Sequence, residues 1–380
     1  MGTHNRGALG ENWFSKRLVL AYVIDWAFII FIGVLGRIMK LIEPNRRPFS
    51  LTDQSISYPF ARHERVPVVH LLIASLFVPA ATIALFSLVL VPAPTGHRIF
   101  GADSWRRKFW EWNAGWMGLG VAYNFTYTVT EAMKVMFGKP RPDLLDRCNP
   151  NISNITSHVI GGLGGKITGA PSLVAWTICQ NQTKRLSQDG FVSFPSGHAS
   201  MSFAGLTYLA LWLCAKFAVS IPYLSSSRSS SSRRPFHAFE ESTSVPSTVP
   251  LRDQGAAPPL YLLTLLFAPI MAATYIASSR WVDNRHFGFD LIIGSLLGIG
   301  FAWFGFRLFH LPLDSGQGWA LAPRNKHRAF FGNIDDTSYG EGEDVLDSGH
   351  LRHHSLHSSI EQNEHEMLPA SEARLDEHVR

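Results

Sequence analysis

Two histidines, one aspartate and three cations stand out in this chain because of where they fall. They occupy three short clusters, Lys134 to Pro142 (KVMFGKPRP), Pro195 to His198 (PSGH) and Ser279 to Asp290 (SRWVDNRHFGFD), each at the edge of a long apolar run. A histidine can attack phosphorus or pass a proton, and Lys and Arg can hold phosphate oxygens, so the set suits phosphoryl transfer. His286 and Asp290 are four residues apart, which on a helix puts them on one face, one turn apart. A carboxylate bonded to one imidazole nitrogen would fix the tautomer and free the other lone pair, making His286 the candidate nucleophile and Asp290 its orienter. Arg280 offers a planar fork to phosphate oxygens, whereas Asp283 and Arg285 read as a local turn ion pair outside the site.

In the second cluster Ser196 is a natural helix N-cap, and the amides beside it have no intrahelical partner, as phosphate-binding helix starts require. Gly197 lets the backbone approach closely, and His198 stands where an acid could protonate a leaving oxygen. In the first cluster Lys134 nears the end of an apolar block. Gly138, Pro140 and Pro142 then break the helix, so that Arg141 turns back toward it. Two cations there would neutralise the charge on a five-coordinate phosphorus, and no metal-ligand set accompanies them. The residues alone do not settle which histidine attacks.

The elements that must position these clusters are apolar blocks. Six run at about Leu18 to Ile38, Val66 to Val91, Trp112 to Phe137, Ala199 to Val219, Leu260 to Ala277 and Phe287 to Leu308. Each is long enough to cross a ~30 Å hydrocarbon core as a helix. The third carries Asn124, Glu131 and Lys134, which should face the protein interior or an aqueous cavity. The expected fold is therefore all-α, a six-span helical bundle with the site at its lumenal, extracytoplasmic face. Its parts are a cytosolic tail (1–17), a membrane domain (18–310) and an acidic cytosolic tail (311–380). The first block lacks a small-residue cleavage site before Lys40 and should stay attached.

An even number of crossings puts the 139–197 and 278–286 loops on one face. Arg6, Lys16, Arg17, Arg98, Arg106, Arg107, Lys108, Lys216, Arg228, Arg233 and Arg234 fall on the other, as the positive-inside rule prefers. The first loop, with Lys40, Arg46, Arg47, Arg62 and Arg65, runs against it. Sequons at Asn151, Asn154 and Asn181 lie in the lumenal loop 143–194, bracketed by Cys148 and Cys179, which suits a disulfide in an oxidising lumen of the secretory pathway. Cys214 reads as a buried packing residue, His70 as a hydrogen-bonded interior histidine, and Asp25 as a helix-packing residue. The Ser- and Arg-rich stretch 221–259 reads as a flexible cytosolic loop. The segment from Leu313 onward, with thirteen acidic and six basic residues, reads as disordered. Although the net charge is +5, no basic face with interleaved aromatics points to nucleic acid.

In order, K-x6-RP, PSGH and SR-x5-H-x3-D resemble the three-part signature of the type 2 phosphatidic acid phosphatase superfamily. Every signature position is filled, and the resemblance covers roughly residues 18–310. The stretches KPRPDLLDRC and SISYPFARHERVP look most like the fungal diacylglycerol pyrophosphate phosphatases within the six-span lipid phosphate phosphatases. The resemblance implies a metal-independent, cofactor-free phosphatase acting on phospholipids in the bilayer: phosphatidate, diacylglycerol pyrophosphate and lysophosphatidate. By that analogy His286 attacks, His198 protonates the leaving oxygen, Asp290 orients His286, and Lys134, Arg141, Ser196, Gly197 and Arg280 hold the phosphate. Isoprenoid diphosphates or sphingoid-base phosphates would suit the same pocket. A non-enzymatic lipid-binding relative should have lost a histidine or an arginine, and none is lost; a transporter should show an inverted repeat, and none is evident. The organelle and the formation of a homo-oligomer are left open.

Overall fold

In the computed structural model, residues 16–90, 102–164, 166–217, 219, 259–313, 319–321 and 324 are described. The expectations for most of the N-terminal tail, the Ser-rich loop and the acidic tail fall outside them. The chain divides into two compact units, Trp26–Ala320 and a second made of Met1–Asp25 with Leu321–Arg380. In the second unit Arg324 pairs with Asp25 at 2.8 Å, and its amide donates to the Tyr22 hydroxyl. The site lies wholly within the first unit.

The long helices are α1 (Lys16–Leu41), α2 (Val68–Leu90), α3 (Ala102–Phe137), α6 (Gly197–Lys216), α7 (Thr264–Val282) and α8 (Gly288–Phe309). Among the described residues four stretches, α1, α2, α7 with its preceding turn, and α8, are long and apolar enough to cross a membrane, and the protein is an integral membrane protein. Their outward side chains, among them Phe31, Val89, Phe267 and Trp303, are exposed, which hydrocarbon tolerates and water does not.

The two other expected spans, α3 and α6, differ for physical reasons. Helix α6 packs against α3, α7 and α8 and is buried nearly throughout, so its surroundings are protein and it can carry Ser200, Ser202, Thr207 and Tyr208. Helix α3 starts in a charged turn with Arg106, Arg107 and Lys108 and keeps Asn124, Glu131 and Lys134 toward a cavity.

Close backbone approach sets the packing. Gly294 and Gly298 on α8 face the carbonyls of Ser196 and Ser200, and Gly118 and Gly305 face each other across α3 and α8. Helices that touch through small residues gain van der Waals contact without needing a hydrophobic drive. A π-turn at Ile73–Phe77 within α2 brings the Ser75 carbonyl against Gly205. Around these contacts Trp212, Tyr208, Phe306 and Ile83 are fully buried. His70, expected inside, is instead exposed on α2: the helix turns its Leu71 side inward.

Residues 42–67 and 138–196, outside the long helices, form a polar cap with its own small core. Phe49 and Ile56 from the first segment pack with Leu144, Val174, Ile178, Leu186 and Phe191 from the second. Each large apolar side chain fully buried there contributes about 1.5–3 kcal/mol. Cys148 and Cys179 are disulfide-bonded within this core. The cap includes short helices α4 (Leu144–Cys148) and α5 (Lys184–Asp189). It also contains an antiparallel hairpin of β1 (Val159–Gly162) and β2 (Ser172–Val174), so the fold is not wholly α. Phe49 bridges to Val174 and ties the first segment to the hairpin. Of the sequon asparagines, Asn154 and Asn181 are exposed, the Asn151 side chain accepts from the Ser153 amide, and Asn181 Nδ2 donates to the Arg147 carbonyl.

Candidate active site

A cavity of about 700 Å³ brings the three sequence clusters together. Lys134, Arg141, Gly197, His198, Arg280 and His286 all line it. Lys134 reaches it from the last turn of α3, Gly197 and His198 from the first turn of α6, and Arg280 from the last turn of α7. His286 sits in the turn between α7 and α8, and Arg141 follows the break after α3. Gly138 makes that break, with φ +56° and its α-carbon against the Asn45 carbonyl, a conformation and a closeness that a side chain would oppose.

His286 is buried, and its Nδ1 lies 2.6 Å from the Ser193 carbonyl. A carbonyl only accepts, so Nδ1 carries the proton and Nε2 keeps its lone pair. Arg141 Nη1 approaches that lone pair at 3.2 Å and also donates to the Arg285 carbonyl at 2.8 Å. Burial, together with the charges of Arg141 and Lys134, holds the His286 imidazole well below its ordinary pKa, so it is neutral at pH 7. A neutral imidazole with a free Nε2 is a competent nucleophile.

Asp290 does not orient His286 directly, contrary to the sequence expectation. Helix α8 begins at Gly288, so His286 precedes it and the two side chains do not share a helical face. Asp290, fully buried, instead closes the helix start: Oδ2 accepts from the Phe287 amide at 3.0 Å and from Ser193 Oγ at 2.6 Å, and Oδ1 accepts from Lys139 Nζ at 2.8 Å. The residue touching both groups is Ser193, whose carbonyl holds His286 while its hydroxyl is held by Asp290.

Ser196 is the expected N-cap, its Oγ accepting from the Ala199 amide at 3.4 Å, but it departs from the expected phosphate contact: it is fully buried, does not line the cavity, and its own amide donates to the Asp290 carbonyl at 3.0 Å. Gly197 lies against Lys134 Nζ, where a β-carbon would come within 2.8 Å and push the ammonium aside. His198 Nε2 donates to the Val66 carbonyl at 3.0 Å, leaving Nδ1 for proton exchange.

Each cation at the polar end of the cavity has a carboxylate partner. Lys134 pairs with Glu131 at 2.6 Å and Arg141 with Asp189 at 2.8 Å. Arg280 pairs with Glu64 at 2.9 Å and Asp283 at 2.8 Å. Arg285, expected at the surface, is buried, lines the cavity and pairs with Glu64 and Asp189, both at 3.1 Å. Asp283 is also buried and bonds Arg65 at 2.7 Å.

The arginines around Asp189 outweigh its burial and hold its carboxyl far below the carboxylate range. Behind it Arg147 bridges Asp189 and Asp143, and there burial wins, holding the Asp143 carboxyl above its ordinary value. Glu64, Asp189, Ser193 and Lys139 were not singled out in the sequence, and Arg285 was placed outside the site. Lys139 and Arg285, inside the first and third clusters, and Ser193, just before PSGH, had a positional signal.

The PAP2 superfamily model matches residues 115–312. Diacylglycerol pyrophosphate phosphatase 1 of Saccharomyces cerevisiae is 30% identical over 275 residues, covering 72% of this chain and 74% of that one. A Schizosaccharomyces pombe protein named "Probable diacylglycerol pyrophosphate phosphatase 1" is 30% identical over 90% of this chain and 94% of its own. Lipid phosphate phosphatase 2 of Arabidopsis thaliana is 24% identical over 87% and 89% of the two chains. No solved structure matches the chain significantly.

Proposed function

The chain belongs to the PAP2 superfamily and is a lipid phosphate phosphatase, and from that premise we propose that it hydrolyses phosphatidate, diacylglycerol pyrophosphate and lysophosphatidate through a phosphohistidine on His286. The observation that carries the mechanism is the tautomer: Nδ1 is held by the Ser193 carbonyl and Nε2 faces a cavity ringed by Lys134, Arg141, Arg280 and Arg285.

The incoming phosphate takes the Arg141 N–H that now approaches Nε2. Nε2 then forms a bond to phosphorus as the bond to the lipid oxygen breaks, and His198 delivers a proton to that oxygen. A bound dianion favours the proton on His198 beforehand. In the second half water attacks phosphorus, the P–Nε2 bond breaks, its electrons return to His286, and His198 takes the proton from water. The four cations stabilise the charge of the five-coordinate phosphorus, the task a metal ion performs in many phosphatases, so the reaction is proposed to be metal-independent. Gly197 contributes space for Lys134 and a helix-start amide. Ser196 and Asp290 act as positioning residues: Ser196 fixes the start of α6, and Asp290 holds Ser193.

We place α3 and α6 in the membrane beside the four apolar helices, giving six spans with the cap and the site on the lumenal face of a secretory-pathway membrane. The disulfide in the cap and the exposed Asn154 sequon support that side.

The test is phosphate release from phosphatidate and diacylglycerol pyrophosphate in detergent micelles with excess EDTA, for wild type and His286→Ala. Release that survives EDTA and falls about 10⁴-fold or more in the variant is expected, the scale of losing a covalent nucleophile. Activity retained by His286→Ala would remove His286 as nucleophile, and loss of wild-type release in EDTA would remove the metal-free mechanism.

A further inference from the structure

We propose that Lys40 is a specificity residue that binds the inner phosphate of a lipid diphosphate, so that this cavity distinguishes diphosphates from monophosphates. The proposal rests on the phosphatase reading above.

Lys40 differs from every other cation of the cavity. Lys134, Arg141, Arg280 and Arg285 each hold a carboxylate within 3.1 Å. Lys40 lines the same cavity, is exposed, and has no carboxylate partner among the described residues. An ammonium without a fixed counter-ion needs no rearrangement to accept an anion, whereas a paired one must first give up a bond.

Its height is set by how α1 runs along α3. Thr128 Oγ1 donates to the Ile32 carbonyl at 2.6 Å, Gly36 lies against Tyr127 and Thr128, and past the end of α1 the Asn45 amide donates to the Val135 carbonyl at 2.9 Å. The two helices therefore run parallel, and residue 40 falls level with Glu131, about one turn from Lys134. The same cavity is also lined by apolar side chains, Ile42, Val68, Leu71 and Leu72, and is far larger than one phosphate.

A lysine about one turn from Lys134 can meet the inner phosphate when the terminal phosphorus of a diphosphate is attacked. The leaving group is then a lipid monophosphate, on which negative charge grows as the bridging P–O bond breaks. A cation beside it lowers that barrier. With a monophosphate the leaving group is an alcohol protonated by His198, and Lys40 meets no developing charge. Diacylglycerol pyrophosphate and isoprenoid diphosphates share the diphosphate chemistry, and the site as described would read either.

The experiment compares wild type, Lys40→Met and Lys40→Arg in detergent micelles. It measures kcat/KM for diacylglycerol pyrophosphate, farnesyl diphosphate, phosphatidate and farnesyl monophosphate. Lys40→Met is expected to lose about 10-fold or more on whichever diphosphates the wild type hydrolyses, the scale of one charge-assisted hydrogen bond, and Lys40→Arg to recover most of it. Monophosphates should change by less than about 3-fold, within the usual effect of an exposed substitution. Equal losses on mono- and diphosphates, or no loss on diphosphates, would overturn the proposal. So would a loss confined to the diacylglycerol lipids whatever their phosphate count, which would make Lys40 a glycerol contact. Wild type that releases phosphate from none of the four lipids would instead overturn the phosphatase reading, a result distinct from any pattern among the variants.

Discussion

The helix bundle and the polar cap are held together by different forces, and the active site draws on both. In the bundle the decisive contacts are backbone against backbone, at Gly298 and Ser200, Gly205 and Ser75, Gly118 and Gly305. In the cap they are a small apolar core, one disulfide, and the linked charges of Asp143, Arg147, Asp189, Arg141 and Arg285. The bundle supplies Lys134, His198 and Arg280 from helix ends, whereas the cap supplies Arg141 and the Ser193 carbonyl that holds His286. The bundle thus sets the spacing of the reacting groups and the cap sets their charge and tautomer. Damage to the two regions should have different signatures.

The largest effect is expected in the bundle, from Gly298→Leu. A side chain there meets the Ser200 carbonyl and the Ala204 amide, so α6 and α8 must part. Overpacking of a side-chain core costs about 1–3 kcal/mol, and rigid backbone on the other side should raise that. Size-exclusion chromatography in detergent should show little monodisperse protein, and the folded remainder should release almost no phosphate. A monodisperse, active variant would mean that the helices are not held at this spacing.

The cap should fail more gently. Replacing both Cys148 and Cys179 by Ser opens a link between residues 31 apart. On the chain-entropy account this costs about 3–4 kcal/mol, confined to the cap. The expected result is a lower midpoint of activity loss on heating, with helical circular dichroism retained, because the bundle does not depend on the bond. Joint loss of helicity and activity at one temperature would mean that the two regions unfold as one, and the contrast drawn here would go.

What could be read in the sequence divides along the same line. Lys134, Arg141, Gly197, His198, Arg280 and His286 were legible because fixed spacings tied them to the ends of apolar blocks, and helix ends are places that the chain marks with Gly, Pro and Ser. The counter-ions were not: Glu64 comes from a loop and Asp189 from a six-residue helix too short to show a period, and they meet their arginines across long separations. The role of Asp290 was misjudged by a shift of helix start. Extending helical spacing back one residue from the block that starts at Phe287 made His286 and Asp290 helical neighbours, whereas a start at Gly288 turns Asp290 into the cap of its own helix and passes the orienting task to Ser193. The polar side chains of α6 were tolerated for a reason that hydropathy does not record, namely that its neighbours are protein.

The smallest expected effect isolates one charge at the junction of the two regions. His286 is neutral when folded and titrates well below its ordinary value, while in the unfolded chain it takes up a proton near pH 6.5. As pH falls below about 6.5 the unfolded state therefore binds more protons than the folded one, and stability falls until the folded pKa is reached. Asp189 acts in the same direction but lower: its carboxyl is depressed when folded, so its contribution is full above the unfolded value of about 3.9 and is lost in stronger acid. Between pH 7.5 and 5.5 the imidazole is thus the relevant group of the pair. Its loss should approach about 1.4 kcal/mol for each unit below 6.5. Denaturant midpoints of wild type and His286→Gln, measured at both pH values in the same detergent, give the difference, which includes the coupling of His286 to His198. The wild type should lose more stability on acidification than the variant. Equal losses would mean that His286 titrates in the folded protein as it does in the unfolded chain, and that its burial and the Arg141 and Lys134 charges do not depress it.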